Sequence, residues 1–175
     1  PRGVAEAAAS RERVERRRDQ FRPPRDTPAD ALTLYTDGTG DGGWGVVVVD
    51  GANTHEYCGP VVTDRAARPW VGAARRTNNT AELHAMIEAL YYLECDGGTE
   101  TAIIRPDSEY AMDAATGVAR KGKKNKAMVA KARELWDSVS ARRRLYVDHV
   151  RAHRGHEHNE RADRLAAPGA EGTGR

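Results

Sequence analysis

An α/β domain built on a five-stranded mixed sheet, three antiparallel strands followed by parallel additions, with helices on both faces, is the fold class that the sequence predicts. Three observations predict it. Short alternating runs joined by tight turns open the domain, an apolar stripe at helical spacing separates the third run from a fourth, and the rest alternates helix with strand. The chain's 175 residues, 39% hydrophobic and 31% charged, suit one such domain with length to spare for tails.

Residues 1–31 are rich in Arg and Glu, carry Pro23, Pro24 and Pro28, and hold almost no large apolar side chains. They read as a basic, solvated arm, disordered or marginally helical: Ala, Glu and Arg favour a helix from Ala5 to Phe21, but without an apolar stripe it has little to hold it. From Leu32 the run Leu-Thr-Leu-Tyr-Thr-Asp alternates as a strand does. A Gly-rich turn, Gly38 to Gly43, leads to a second strand, Trp44 to Val49. A third, Asn53 to Val62, follows the Asp50-Gly51 turn.

After the polar segment Thr63 to Thr77, a side-chain oxygen of Asn78, Asn79 or Thr80 is expected to cap a helix. Leu83, Met86, Ile87 and Leu90 form its buried stripe, it reaches about Glu94, and Asp96-Gly97-Gly98 stops it. A fourth strand, Thr101 to Arg105, runs into Pro106-Asp107-Ser108, where Asp107 or Ser108 starts a short helix ending near Thr116. A longer helix, Lys124 to Ser140, buries Met128, Ala132, Leu135 and Val139. A fifth strand, Leu145 to Val150, and a last helix, Asn159 to about Ala167, stopped by Pro168-Gly169, complete a domain of residues 32–168; residues 169–175 are expected to be a disordered tail.

Composition removes several classes of function. No apolar run approaches the roughly 18 residues needed to cross a bilayer, and no signal-peptide core follows the basic start, so an intracellular protein is expected, in cytoplasm or nucleus. A start at Pro1 rather than Met suggests processing or a larger parent polypeptide. Cys58 and Cys95 lack the spacing of a zinc site or a disulfide framework and read as buried free thiols. His149, His153, His156 and His158 also lack a zinc spacing. Net charge is only +2, but cations gather from Arg11 to Arg25 and from Arg120 to Arg133.

The chemistry lies in four acids: Asp37 at the end of the first strand, Glu82 one turn into the first core helix, Asp107 after the fourth strand, and Asp163 in the last helix. If the first and fourth strands are parallel neighbours, Asp37 and Asp107 stand side by side at the carboxyl edge of the sheet, with Glu82 within reach. Carboxylates so close repel, and ionise together only if a cation neutralises them. Oxygen-only ligands favour magnesium, with manganese as substitute, over zinc. Two ions roughly 3.5–4 Å apart suit in-line phosphodiester hydrolysis, one readying the water and the other stabilising the leaving 3′ oxygen.

Four motifs in order, Tyr35-Thr36-Asp37-Gly38, Thr77-Asn78-Asn79-Thr80-Ala81-Glu82-Leu83, Asp107-Ser108-Glu109-Tyr110 and His153 through Asp163, resemble type 1 ribonuclease H over residues 32–167. The resemblance implies a ribonuclease H-like fold and an endonuclease that cuts the RNA strand of RNA–DNA hybrids. It makes Asp37, Glu82, Asp107 and Asp163 the metal-binding catalytic acids, and His153 a loop histidine that shuttles protons and helps product leave. It places Asn78, Asn79 and the backbone of Gly38 in the minor groove, where the RNA 2′-hydroxyl is sensed, and Thr77 on a phosphate of the DNA strand. Ser108, Asn159 and the run containing Lys121, Lys123, Lys124 and Lys126 complete the expected substrate surface, the lysines in the place of the family's basic protrusion.

Three departures stand out. The basic segment is shorter than the full protrusion and lacks its tryptophans, Glu109 stands where many relatives carry Gln, and Pro106 replaces a small polar residue. The segment Thr63 to Arg76, with Pro69-Trp70-Val71-Gly72, is similar to retroelement-type members. Two rivals remain: a non-catalytic hybrid- or partner-binding module of the same fold, and another nuclease of the same fold. Against the first, all four acids are present; against the second, the first strand ends Asp37-Gly38-Thr39 and not Asp-x-Glu. No oligomer is expected.

Overall fold

The computed structural model describes residues 2–118, 122–151 and 156–169. Its elements in chain order are α1 (Arg2–Asp19), β1 (Leu32–Gly38), β2 (Gly43–Asp50), β3 (Asn53–Pro60), α2 (Asn78–Asp96), β4 (Ala102–Pro106), α3 (Glu109–Thr116), α4 (Lys126–Ser140), β5 (Leu145–Val147) and α5 (Glu157–Gly169). The five strands lie in the order β3-β2-β1-β4-β5. β1 is antiparallel to β2 and β2 to β3, whereas β4 is parallel to both β1 and β5, so the sheet is mixed as expected.

Alternation along the strands assigns the two faces. Leu32 and Leu34 of β1, Val46 and Val48 of β2 and Ile104 of β4 join Leu83, Met86, Ile87 and Leu90 of α2 in one apolar cluster. Met128, Ala132, Leu135, Trp136 and Val139 of α4 extend it. The opposite face receives α5, which comes so close that a Cβ on Gly45 would strike the carbonyl of Ala162. Glycine there is what lets α5 lie against the strands, and Arg161 ties the helix to β3 through two hydrogen bonds to Glu56, 2.7 and 2.8 Å.

Several boundaries move, each for a local reason. The cap of α2 is Thr77, not Asn78, Asn79 or Thr80. Its hydroxyl accepts from the Thr80 amide while the Thr80 hydroxyl takes the Thr77 amide, a reciprocal capping box. β3 ends at Pro60, which has no amide proton for the ladder. The ladder of β5 stops at Val147, although the Asp148 and Val150 amides still reach the carbonyls of Ile104 and Pro106, both at 3.0 Å. Pro168-Gly169 closes α5 as its last two residues, within the usual uncertainty of helix ends. Cys58 is half-buried on the edge strand, and Cys95 is exposed because α2 has left the core after Leu93, so neither is a fully buried thiol.

The N-terminal segment contains a full helix, and the sequence-level objection that it has no apolar stripe is answered at its end. Phe21 meets Trp136 edge-on with ring centroids 5.8 Å apart, a contact worth about 0.5–1.5 kcal/mol beyond the area it buries. The Phe21 carbonyl accepts from Val147, so the segment also covers the free edge of β5. Among the described residues, no helix is long and apolar enough to cross a membrane.

Candidate active site

Parallel pairing of β1 with β4 puts Thr36 opposite Pro106, so the residues that follow each, Asp37 and Asp107, leave the sheet at the same edge. The Asp107 amide donates to the Thr36 carbonyl at 3.1 Å, which carries the pairing one residue past the ladder. Glu82 comes from the second turn of α2. An oxygen of each of Asp37, Glu82 and Asp107 lies within 4.8 Å of the others. Asp37 and Glu82 are 4% and 5% exposed, so water cannot screen their mutual repulsion.

Gly38 makes the closeness possible. A Cβ at this position would fall well inside contact distance of the Glu82 amide nitrogen and would meet Ala81, so only glycine lets β1 run flush against the first turns of α2. Its amide also donates to Asp37 Oδ1 at 2.8 Å, orienting that carboxylate. Gly38→Ala is expected to push α2 back, costing about 1–3 kcal/mol of stability through overpacking and separating Asp37 from Glu82. A urea titration run beside a cleavage assay checks this; wild-type values in both would show that α2 can retreat without cost.

The electrostatics follow from burial. Asp37 is pushed up from its ordinary value of 3.8 to about 7, chiefly by desolvation and then by the charge of Asp107. Glu82 rises to about 9, again by desolvation first and then by Asp37. Glu82 Oε2 is buried and has no hydrogen-bond partner among the described residues. A buried oxygen without a donor, in a cluster of oxygen-only ligands that resist ionising together, fits a hard divalent cation. A zinc set would need His or Cys ligands, and among the described residues none joins the group.

The remaining predicted residues take varied positions. Asp163 on α5 is exposed and stands outside the trio, yet its charge reaches Asp37 and raises it further. His153 and Lys121 lie outside the described residues. Asn78 and Asn79 are exposed on the first turn of α2, directly above Glu82, and their side chains are free of the capping role. Thr77 is exposed but its hydroxyl is engaged in the cap. Ser108 caps α3, accepting from Ala111 at 3.1 Å. Lys123, Lys124 and Lys126 are exposed, beside a groove of about 660 Å³ shared with Tyr110 and Arg133. Asn159, in the first turn of α5, is 4% exposed, with its amide nitrogen unpartnered among the described residues.

Two residues near the site, His149 and Arg18, belong to no sequence motif. His149 Nε2 donates to the Asp107 carbonyl at 2.9 Å, tying the end of β5 to the loop that carries the acid. Its signal is the register Ile104↔Val147, which brings the residue two beyond Val147 to the end of β4; that register is a property of the sheet and not of any motif. Arg18 of α1 reaches Asp113 and Glu109 on α3 from 95 and 91 residues away.

Comparison with known proteins identifies the chain's relatives. The family model described as RNase H matches residues 29–171. The chain is 35% identical over 151 residues to the ribonuclease H of Phenylobacterium zucineum, covering 79% of this chain and 89% of that one. It is 37% identical over 152 residues to the ribonuclease HI of Neisseria meningitidis, with 78% and 93% covered. Among solved structures, LC11-RNase H1 in complex with an RNA/DNA hybrid superposes with a TM-score of 0.60 at 28% identity, covering 80% of this chain and 96% of that one. RNase H1 of Halobacterium salinarum gives 0.58 at 26%, covering 81% and 98%.

Proposed function

The chain belongs to the type 1 ribonuclease H family, and from that premise we propose how its own residues carry out the reaction. It is an endonuclease that hydrolyses the RNA strand of RNA–DNA hybrids, leaving 5′-phosphate and 3′-hydroxyl ends. The observation that carries the residue-level reading is the convergence of Asp37, Glu82 and Asp107 at one sheet edge.

The family uses divalent metal ions, and we take magnesium as the working ion here, with manganese as substitute, because every ligand offered is a carboxylate oxygen. Asp37, Glu82 and Asp107 would hold the ions, and Asp163 would close the set from α5. When bound, such ions neutralise charge that develops on the attacking and leaving oxygens of an in-line displacement. The chain's own part is positioning. The Gly38 amide aims Asp37, the Thr36 carbonyl and His149 hold the backbone of Asp107, and the capping box sets the first turn of α2 that carries Glu82. His153 is assigned the movement of protons and the release of product.

Recognition of the hybrid is assigned to the surface around this edge. Asn78 and Asn79 offer both donors and acceptors to a 2′-hydroxyl, together with the Gly38 backbone. Thr77 sits at the N-terminus of α2, where unpaired amides and the helix dipole favour a phosphate; with its hydroxyl in the cap, the backbone supplies this contact. Lys121, Lys123, Lys124 and Lys126 are assigned to the DNA-strand phosphates, and Ser108 and Asn159 to the walls of the groove.

The test incubates the protein and magnesium with single-stranded RNA, double-stranded RNA, duplex DNA and an RNA–DNA hybrid. Selective cleavage of the hybrid is expected, with apparent affinity falling steeply as salt rises because the lysines displace counterions from phosphates. Cleavage of duplex DNA, or no cleavage with either magnesium or manganese, would overturn the reading. A flat salt dependence would remove the lysines from it.

A further inference from the structure

Glu109 is an odd residue to find at the mouth of a site for a polyanion. It is the first residue of α3, two beyond Asp107, and its side chain is 56% exposed. Three acids already crowd this edge, and a fourth negative charge there repels the phosphates that must approach. Its surroundings answer that charge. Arg18 Nη1 lies 3.4 Å from Glu109 Oε1, and Arg18 Nη2 lies 3.4 Å from Oε2.

An ion pair at that length and exposure is ordinarily worth little, because ordering two long side chains offsets the attraction. Arg18 differs in being already ordered. Its Nε and Nη2 make a two-pronged contact with Asp113 at 2.8 and 2.7 Å, and its Nη1 meets Glu15 at 2.7 Å. Only 12% of the side chain is exposed. The helix that carries it is in turn held by the Phe21–Trp136 contact and by Arg17, which donates to the Gly117 carbonyl at 2.9 Å. The guanidinium therefore faces Glu109 without a fresh entropic cost.

We propose that Arg18, on the N-terminal helix, is a positioning residue of the active site, one that restrains Glu109 beside Asp107 and offsets its charge so that the hybrid can approach. The helix thereby contributes to substrate affinity from outside the catalytic sheet. The inference rests on the reading of the site as a hybrid nuclease.

Steady-state cleavage of a labelled hybrid by the full chain tests it, in wild type, Arg18→Ala, Arg18→Ala/Glu109→Gln and Asp113→Asn. Arg18→Ala is expected to raise KM about fivefold at low salt with kcat changed less than about twofold, as for loss of uniform binding. The difference should shrink as salt is raised, since the freed charge is screened. Adding Glu109→Gln should return KM to near wild type, because the uncompensated charge two residues from Asp107 is then gone. Asp113→Asn removes the two-pronged contact that orders Arg18 but leaves its charge near Glu109, so it should lower the melting temperature and raise KM less than Arg18→Ala does. An unaltered KM in Arg18→Ala, failure of Glu109→Gln to rescue it, or an equal rise in Asp113→Asn would overturn the proposal and leave the nuclease reading intact. Absence of hybrid cleavage by the wild type, measured in the same runs, would overturn both.

Discussion

Asp37→Asn is expected to lower hybrid cleavage by at least about a thousandfold while making the metal-free protein more stable, two effects of one cause. Asparagine keeps the shape of aspartate and can still accept from the Gly38 amide. It removes one of three carboxyl groups gathered within 4.8 Å. Activity falls because a neutral amide is a poor ligand for a hard cation and cannot offset the charge that develops in phosphodiester hydrolysis. Stability rises because the folded protein no longer has to bury an ionisable carboxyl beside Glu82 and Asp107; burial and Asp107 together push Asp37 up to about 7. Each kcal/mol relieved corresponds to about 2–4 °C in a chain of this size. Thermal melts in chelator, paired with cleavage assays, check both halves. A variant that loses activity together with stability would show Asp37 to be a structural residue, and one that keeps activity would remove it from the metal site.

Metal-free protein should lose stability as pH rises from about 4 to about 9, and a divalent cation should restore it, most strongly at the upper end of that range. The sign follows from which state holds more protons. Asp37 and Glu82 have ordinary values of 3.8 and 4.5 and rise to about 7 and about 9 in the folded protein. Between those limits the folded chain retains protons that the unfolded chain has released, so raising pH favours unfolding until both groups are ionised. A bound cation replaces the protons and removes the penalty. Melting temperatures in chelator and in magnesium, taken at about pH 5 and about pH 8.5, give the comparison. A larger gain from magnesium at the higher pH is the expected result. An equal gain at both, or metal-free stability that climbs through the range, would mean that the acids ionise freely and do not form the centre.

Much of the site could be read before any coordinates because it sits at punctuation. Asp37 ends an alternating run at a glycine, Asp107 follows a strand at Pro106, and Glu82 lies one turn after a polar cluster that starts a helix. Such places are set by local backbone preferences, which act over a few residues and leave a mark in the sequence. The Thr77 cap was missed for a related reason: four polar residues in a row can each cap a helix, and the winner is the one whose partner three residues on can reciprocate. That outcome matters for function, since it leaves the Asn78 and Asn79 side chains facing solvent above Glu82.

What the sequence determined by itself is the fold class, the order of its elements and three acids at adjoining ends of those elements, all consequences of short-range periodicity and turn chemistry. What only the tertiary structure decided is distance. It brought Asp37, Glu82 and Asp107 together through a parallel register and the missing side chain of Gly38, left Asp163 exposed on a helix seated by Gly45, put His149 against Asp107, and carried Arg18 from the far end of the chain to Glu109. Those contacts depend on how closely packed surfaces meet, which is a property of two distant segments at once, and neither segment's residues encode it alone.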